Sequence, residues 1–165
     1  MNWAIDENVI AVANDVARVD RGDQPNCPQA DDACRLACVT FLASARRDGK
    51  VIVDGADVVF SYYRRKASLS GQPGSGDAFL KALFQVMYDP DHIVRVDLAP
   101  APTFGLPAAF VQSGFDPDDF IYVALAAARP NSIIINAVDS DYQIHAAQIA
   151  AVPADVRELC GHCLT

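Results

Sequence analysis

The stretch NSIIINAVDSD at residues 131–141 constrains this chain more than any other. Ile133, Ile134, Ile135 and Ala137 are broken only by Asn136, too apolar a run for a strand with one solvated face. A strand buried on both faces of a parallel sheet reads this way. The run ends in Asp139-Ser140-Asp141, where the chain leaves the sheet. In open α/β sheets, ligands sit beyond the carboxyl ends of the strands. Residues 1–8, MNWAIDEN, repeat the design: Trp3, Ala4 and Ile5, then Asp6, Glu7 and Asn8. The two strand ends are expected to meet.

A length of 165 residues suits one domain, residues 1–165, and 52% apolar residues suffice for a sizeable core. The formal net charge is −8 and the pI about 4.6. That balance argues against non-specific capture of nucleic acid by Lys and Arg. It leaves room for an enzyme that meets phosphate through a metal, because the ion supplies the positive charge. Of the 21 acidic residues only Glu7 and Glu158 are glutamates, so aspartate is the residue to follow. Trp3–Ile5 is too short for a secretory leader, and no 18-residue apolar run exists. Five cysteines, an odd number, suit reduced thiols. The expectation is a cytoplasmic protein with no membrane segment.

In chain order, residues 7–17 space Val9, Ile10, Val12, Ala13 and Val16 as a helix does. Residues 18–29 hold Gly22, Pro25 and Pro28 and read as a loop. Residues 30–47 form the best helix: Asp31 or Asp32 caps it, Leu36, Val39, Phe41, Leu42 and Ala45 face inward, and Asp48-Gly49 stops it. A short strand, KVIV at 50–53, precedes a helix at 57–67 that ends in Arg64-Arg65-Lys66. Residues 68–76, SLSGQPGSG, read as a flexible loop, and 77–88 as a further helix. Residues 92–98 alternate as a strand or sheet edge does, and 99–113, with three prolines, look irregular. Asp116 caps a helix running to Ala128, with Pro117 at its first position. After the isoleucine strand come a helix near 141–151 and a last strand at 156–159. Strands alternating with helices predict a three-layer α/β/α sandwich on a mostly parallel sheet of four to five strands.

Asp6, Asp119, Asp139 and Asp141 all fall at the expected carboxyl edge. Carboxylates gathered there repel one another unless a cation holds them, and Mg²⁺ or Mn²⁺ prefers hard oxygen ligands. Such an ion activates water and stabilises in-line displacement at phosphorus.

The order AIDEN, DDFIYVALA, NAVDSD resembles the PIN-domain nucleases, over nearly the whole chain. The segment YYRRKASLSGQPGSGDAFLKAL resembles a bacterial PIN-like subgroup in which EYRR is usual. The resemblance implies a metal-dependent endoribonuclease acting on single-stranded RNA. By it Asp6 is the first acid, Asp119 the third and Asp139 the fourth, all three binding Mg²⁺ or Mn²⁺, with Asp141 assisting. Asn8 takes the polar place two residues after the first acid. Where members carry the second acid, a glutamate, this chain has Tyr62, and Asp57 lies more than a turn away. Three carboxylates and water are left to hold the ion, which implies weakened activity. The alternative is a catalytically degenerate module that binds RNA, a protein partner or a second copy of itself. In either reading Asn8, Tyr62, Arg64 and Arg65 are the expected substrate-binding residues, Arg64, Arg65 and Lys66 forming one wall of a groove with the glycine-rich loop. A different Mg²⁺-dependent phosphate hydrolase is a third reading, weakened by the lack of a DxDx[TV] nucleophile motif.

Gly71–Asp77 is no phosphate loop, since it lacks the Lys and Ser or Thr that follow the last glycine. The C-terminal segment 160–165 opens with Cys160-Gly161-His162-Cys163, and a C-x-x-C pair supplies only two of the four ligands of structural zinc. Cys34 and Cys38 could complete it if the terminus folds back on their helix. They are read instead as core thiols, with no zinc expected. His92 and His145 read as structural.

Overall fold

In the computed structural model, which describes residues 1–164, five strands form one sheet in the order β3-β2-β1-β4-β5, all parallel. They are β1 (Asn2–Ile5), β2 (Lys50–Asp54), β3 (Ile93–Val96), β4 (Ser132–Asn136) and β5 (Asp155–Glu158). Helices α1 (Glu7–Asp20), α2 (Asp32–Asp48), α3 (Val58–Lys66) and α4 (Ser75–Gln85) connect β1 to β2 to β3. Helices α5 (Ala108–Val111) and α6 (Phe120–Ala128) carry the chain back to β4. Two short helices, α7 (Asp141–Ile144) and α8 (Ala146–Ala151), precede β5. Parallel crossovers are right-handed, so reversing the direction of winding changes the covered face. The first four helices therefore lie on one side of the sheet and α5 to α8 on the other, the three layers read from the sequence. Among the described residues no helix is long and apolar enough to cross a membrane.

The central strands are dry. Ala4, Ile5, Ile52, Val53, Ile134 and Ile135 are fully buried. Helix α6 is buried along its length from Phe120 to Ala126, with its first turn against an aromatic cluster of Phe110, Phe115 and Tyr142.

Several expectations need correction. Leu36 is exposed, because the buried stripe of α2 runs through Cys34, Cys38, Phe41, Leu42 and Ala45. Helix α4 begins at Ser75 and ends at Gln85, leaving Tyr88 exposed. The expected helix near 141–151 breaks at His145, whose backbone leaves the helical region. The loop 68–76 is pinned rather than loose: Ser68 N and Gly74 N both donate to the buried carboxylate of Asp77. Cys34 is not a core thiol, since it is disulfide-bonded to Cys160, and the reduced-thiol expectation fails for this pair. Cys38 is the buried free thiol, and burial pushes it up to about 12, so it is neutral at pH 7.

Close approach of α4 to α1 depends on Gly76. A Cβ there would stand 2.4 Å from the Ile10 carbonyl oxygen and 2.9 Å from Asn14 Oδ1. Asn14 cannot yield, because its Oδ1 accepts from Asp77 N and its Nδ2 donates to Asp77 Oδ1 and Lys66 O. Gly76→Ala is expected to cost about 1–3 kcal/mol, as overpacking does. Urea unfolding should show a lower midpoint at unchanged slope.

Candidate functional site

The winding reverses between β1 and β4, where ligand crevices of open α/β sheets lie. The two strands pair along their whole length, Asn2 with Ser132 through Ile5 with Ile135. The carboxyl ends are then stitched together. Asp6 N donates to Ile135 O at 3.0 Å. Asn8 Nδ2 donates to Asn136 Oδ1 at 3.0 Å, and Ala137 N donates to Asn8 Oδ1 at 2.9 Å. Asn8 therefore ties strand to strand, and its amide is occupied by this structural work.

Asp6 caps α1, its Oδ1 accepting from Asn8 N at 2.8 Å. Asp119 arrives from the opposite layer. Asp116 caps a turn of 3₁₀ helix over Pro117–Asp119, and this turn drops Asp119 onto the sheet edge at the start of α6. Carboxylate oxygens of Asp6, Glu7 and Asp119 lie within 4.8 Å of one another. Asp139 is within hydrogen-bond reach of Asp119. The structure thus brings together three of the four predicted acids and adds Glu7. Asp141 faces elsewhere: its Oδ2 accepts from Asp116 N at 3.2 Å, clamping two loops.

Three fully buried tyrosines floor the site. Tyr142 OH donates to Asp6 Oδ2 at 2.8 Å, Tyr122 OH to Glu7 Oε2 at 2.5 Å, and Tyr63 OH to the Ile5 carbonyl at 2.6 Å. Burial first, then the nearby carboxylates, hold all three phenols well above their usual range, so they remain donors. Tyr62 is partly buried near Glu7, Asp118 and Asp119, and Arg65 lies over its ring at 4.6 Å. Arg64 and Arg65 are exposed and, with Arg18, Arg21 and Lys66, line a basic cleft of about 310 Å³. Asp57 is taken by Arg95 at 2.7 Å.

Other buried acids make the contrast. Asp15 accepts from Asn26 N and Cys27 N. Asp54 accepts from the N–H groups of Ala56, Val58 and Val59. Asp119 accepts from no N–H or phenol among the described residues, and its neighbours are carboxylates. Burial, then the charges of Asp6 and Asp139, push its carboxyl up to about 10. Burial, then Glu7, push Asp6 up to about 8, against the hydrogen bonds from Asn8 and Tyr142. Asp139 Oδ1 accepts from Asp141 N at 2.8 Å, so among the described residues Asp119 is the one of the four without such a donor; carboxylates converging in this way fit a hard divalent cation.

Sequence reasoning missed Glu7 and the three tyrosines. Glu7 and Asp6 are consecutive, and neighbours at a strand-to-helix turn are easily read as pointing apart. The tyrosines had a signal: Tyr122 lies three residues after Asp119 and Tyr142 directly follows Asp141. The fold and site define an α/β sandwich with a tyrosine-floored carboxylate cluster at its switch point. Comparison with protein-family models, curated proteins and solved structures returned no match.

The raised carboxyls fix a sign. From the ordinary aspartate value of 3.8 up to about 8, folded Asp6 keeps a proton that the unfolded chain has lost, and Asp119 does so up to about 10. Stability of the metal-free protein is therefore greatest below 3.8 on account of these groups and falls as pH rises through that window. Melts in chelator should show Tm declining from about pH 5 to about pH 8, less steeply in Asp119→Asn. Mn²⁺ should raise Tm most at the alkaline end, where it displaces fewer protons. A wild-type slope no steeper than that of Asp119→Asn would mean the acids do not share their charge.

Proposed function

We propose that this chain is a PIN-type endoribonuclease dependent on Mg²⁺ or Mn²⁺ and acting on single-stranded RNA. The observation that carries the reading is Asp119, a buried carboxyl with no protein N–H or O–H donor among the described residues, facing Asp6, Glu7 and Asp139. Asp6, Glu7 and Asp119 would hold the ion, with Asp139 against them. When bound, the ion supplies activation of water and neutralises charge at the phosphate.

The chain's own residues orient and position. Tyr142 and Tyr122 fix the Asp6 and Glu7 carboxylates by hydrogen bonds, so these ligands need no reordering. Tyr62, held under Arg65, offers its ring at the rim for stacking on a base, worth about 1–3 kcal/mol. The basic cleft, which Arg65 also lines, lies toward the last turns of α1 and α3 and offers positive charge to a chain that extends past Tyr62. Glu7 supplies the carboxylate that Tyr62 cannot, which favours an active enzyme over a degenerate binding module.

The assay is cleavage of a labelled unstructured RNA across a Mn²⁺ series. Wild type should cleave, and Asp6→Asn, Asp119→Asn and Asp139→Asn should each lose about 100-fold or more, as changes at metal ligands do. Glu7→Gln should be equally damaging, which separates this site from one built on the aspartates alone. Tyr62→Ala should raise KM by about 5-fold or more while Tyr62→Phe stays near wild type, because stacking needs the ring and not the hydroxyl. Cleavage that survives Asp139→Asn would point to another site or a contaminating nuclease.

A further inference from the structure

Every cysteine of the chain lies around α2 and the segment that follows β5. Cys34 and Cys38 stand one turn apart on the buried face of α2, and the loop before it carries Cys27. After β5 the chain folds back over α2. His162 Nε2 meets both carboxylate oxygens of Asp31, the α2 cap, at 3.1 Å. This return seats Cys160 against the helix, fully buried.

The Sγ atoms of Cys34, Cys38 and Cys160 lie within 4.8 Å of one another, and all three residues are inaccessible to solvent. A disulfide joins Cys34 to Cys160 and needs only two of these sulfurs. The third remains: Cys38 Sγ is 4.0 Å from Cys160 Sγ. Tetrahedral zinc with Zn–S bonds of about 2.3 Å places its sulfurs about 3.8 Å apart. The fourth donor is one turn of chain away: Cys163 Sγ lies within 4.8 Å of ligand atoms of Asp31 and His162, and it must turn from them toward the other three sulfurs. Cys163 N donates to Cys160 O at 2.8 Å, so the C-x-x-C segment already makes the tight turn by which such a pair closes on one ion.

We propose that the reduced chain binds one Zn²⁺ through Cys34, Cys38, Cys160 and Cys163, stapling the C-terminal segment to α2. The disulfide is the oxidised state of the same sulfurs. Two equivalents of a small-molecule thiol reduce it: the Cys34–Cys160 bond breaks, both sulfurs gain protons, and the reductant leaves as its own disulfide. Zinc then displaces the protons of the four thiols. The site is separate from the carboxylate cluster in ligand chemistry, soft sulfur against hard oxygen, and does not depend on the nuclease reading.

The test uses the full chain purified with a thiol reductant and no chelator. Elemental analysis should find about one zinc per chain. Replacement by Co²⁺ should give sulfur-to-cobalt charge transfer and the intense visible bands of a tetrahedral thiolate site. Oxidation to the disulfide should release the ion. Asp6→Asn with Asp119→Asn should keep it, which separates this metal from any in the acidic site. Cys38→Ser retains both disulfide partners, so its fold can be checked in the oxidised form. Reduced, it should bind zinc weaker by on the order of 100-fold or more, since even loss of an outer-shell partner costs 10–100-fold. Reduced wild type with neither zinc nor cobalt–thiolate absorption overturns the proposal, and so does Cys38→Ser that binds as wild type does.

Discussion

Mutual repulsion among carboxylates at the end of β1 and β4 is the constraint on which this structure turns. Asp6, Glu7 and Asp119 crowd within 4.8 Å with Asp139 beside them. Two unit charges at that separation oppose each other by a few kcal/mol at an effective dielectric near 20. The fold must therefore hold them together by other means. The β1–β4 pairing, the Asn8–Asn136 stitch and the tyrosine floor supply them. Without a cation, burial first and the neighbouring charges after it favour the protonated acids, which is why Asp6 and Asp119 hold their protons so far above the ordinary aspartate range.

Much of this was legible because the parallel sheet imposes a simple code. A strand buried on both faces must be apolar throughout, and a polar residue at its end must mark where the chain emerges. Residues 131–141 and 1–8 carry that code openly. Asp116, Pro117 and the acids after them likewise announced a helix start, and the capped turn is there. The convergence of Asp6, Asp119 and Asp139 follows from the order of elements: the carboxyl ends of β1 and β4 lie side by side, and a helix that leads into β4 starts at that same edge.

What was not legible depends on side-chain direction over one or two residues, which periodicity does not carry. Glu7 reaches the cluster because Asp6 caps α1 in extended backbone, at φ −66° and ψ 143°, while Glu7 has already entered the helix. The change of backbone between them lets consecutive carboxylates meet at one place. Tyr62 and Tyr63 show the same limit. The resemblance drew attention to the first, yet the second is the fully buried one whose hydroxyl caps the β1 carbonyl. The exposed Leu36 is a third case, on a helix whose inward stripe is set by Cys34 and Cys38 rather than by its largest apolar residue.

The last strand links the two sulfur- and oxygen-rich regions of the molecule. Glu158, at the end of β5, accepts from Asn136 Nδ2, the residue that also accepts from Asn8 and donates to the Asp139 carbonyl. Burial, then the Asp139 charge, raise its carboxyl to about 7, against the Asn136 bond. Two residues on is Cys160, buried against α2. The backbone that presents Asp139 is therefore held from one side by β1 through Asn8 and from the other by β5 through Glu158. A tie from Cys160 to α2 anchors the end of a strand whose Glu158 accepts from Asn136, the residue that holds the Asp139 carbonyl. A covalent or metal tie at that point removes conformational freedom from a strand with one open edge, where a four-residue ladder alone is weakest.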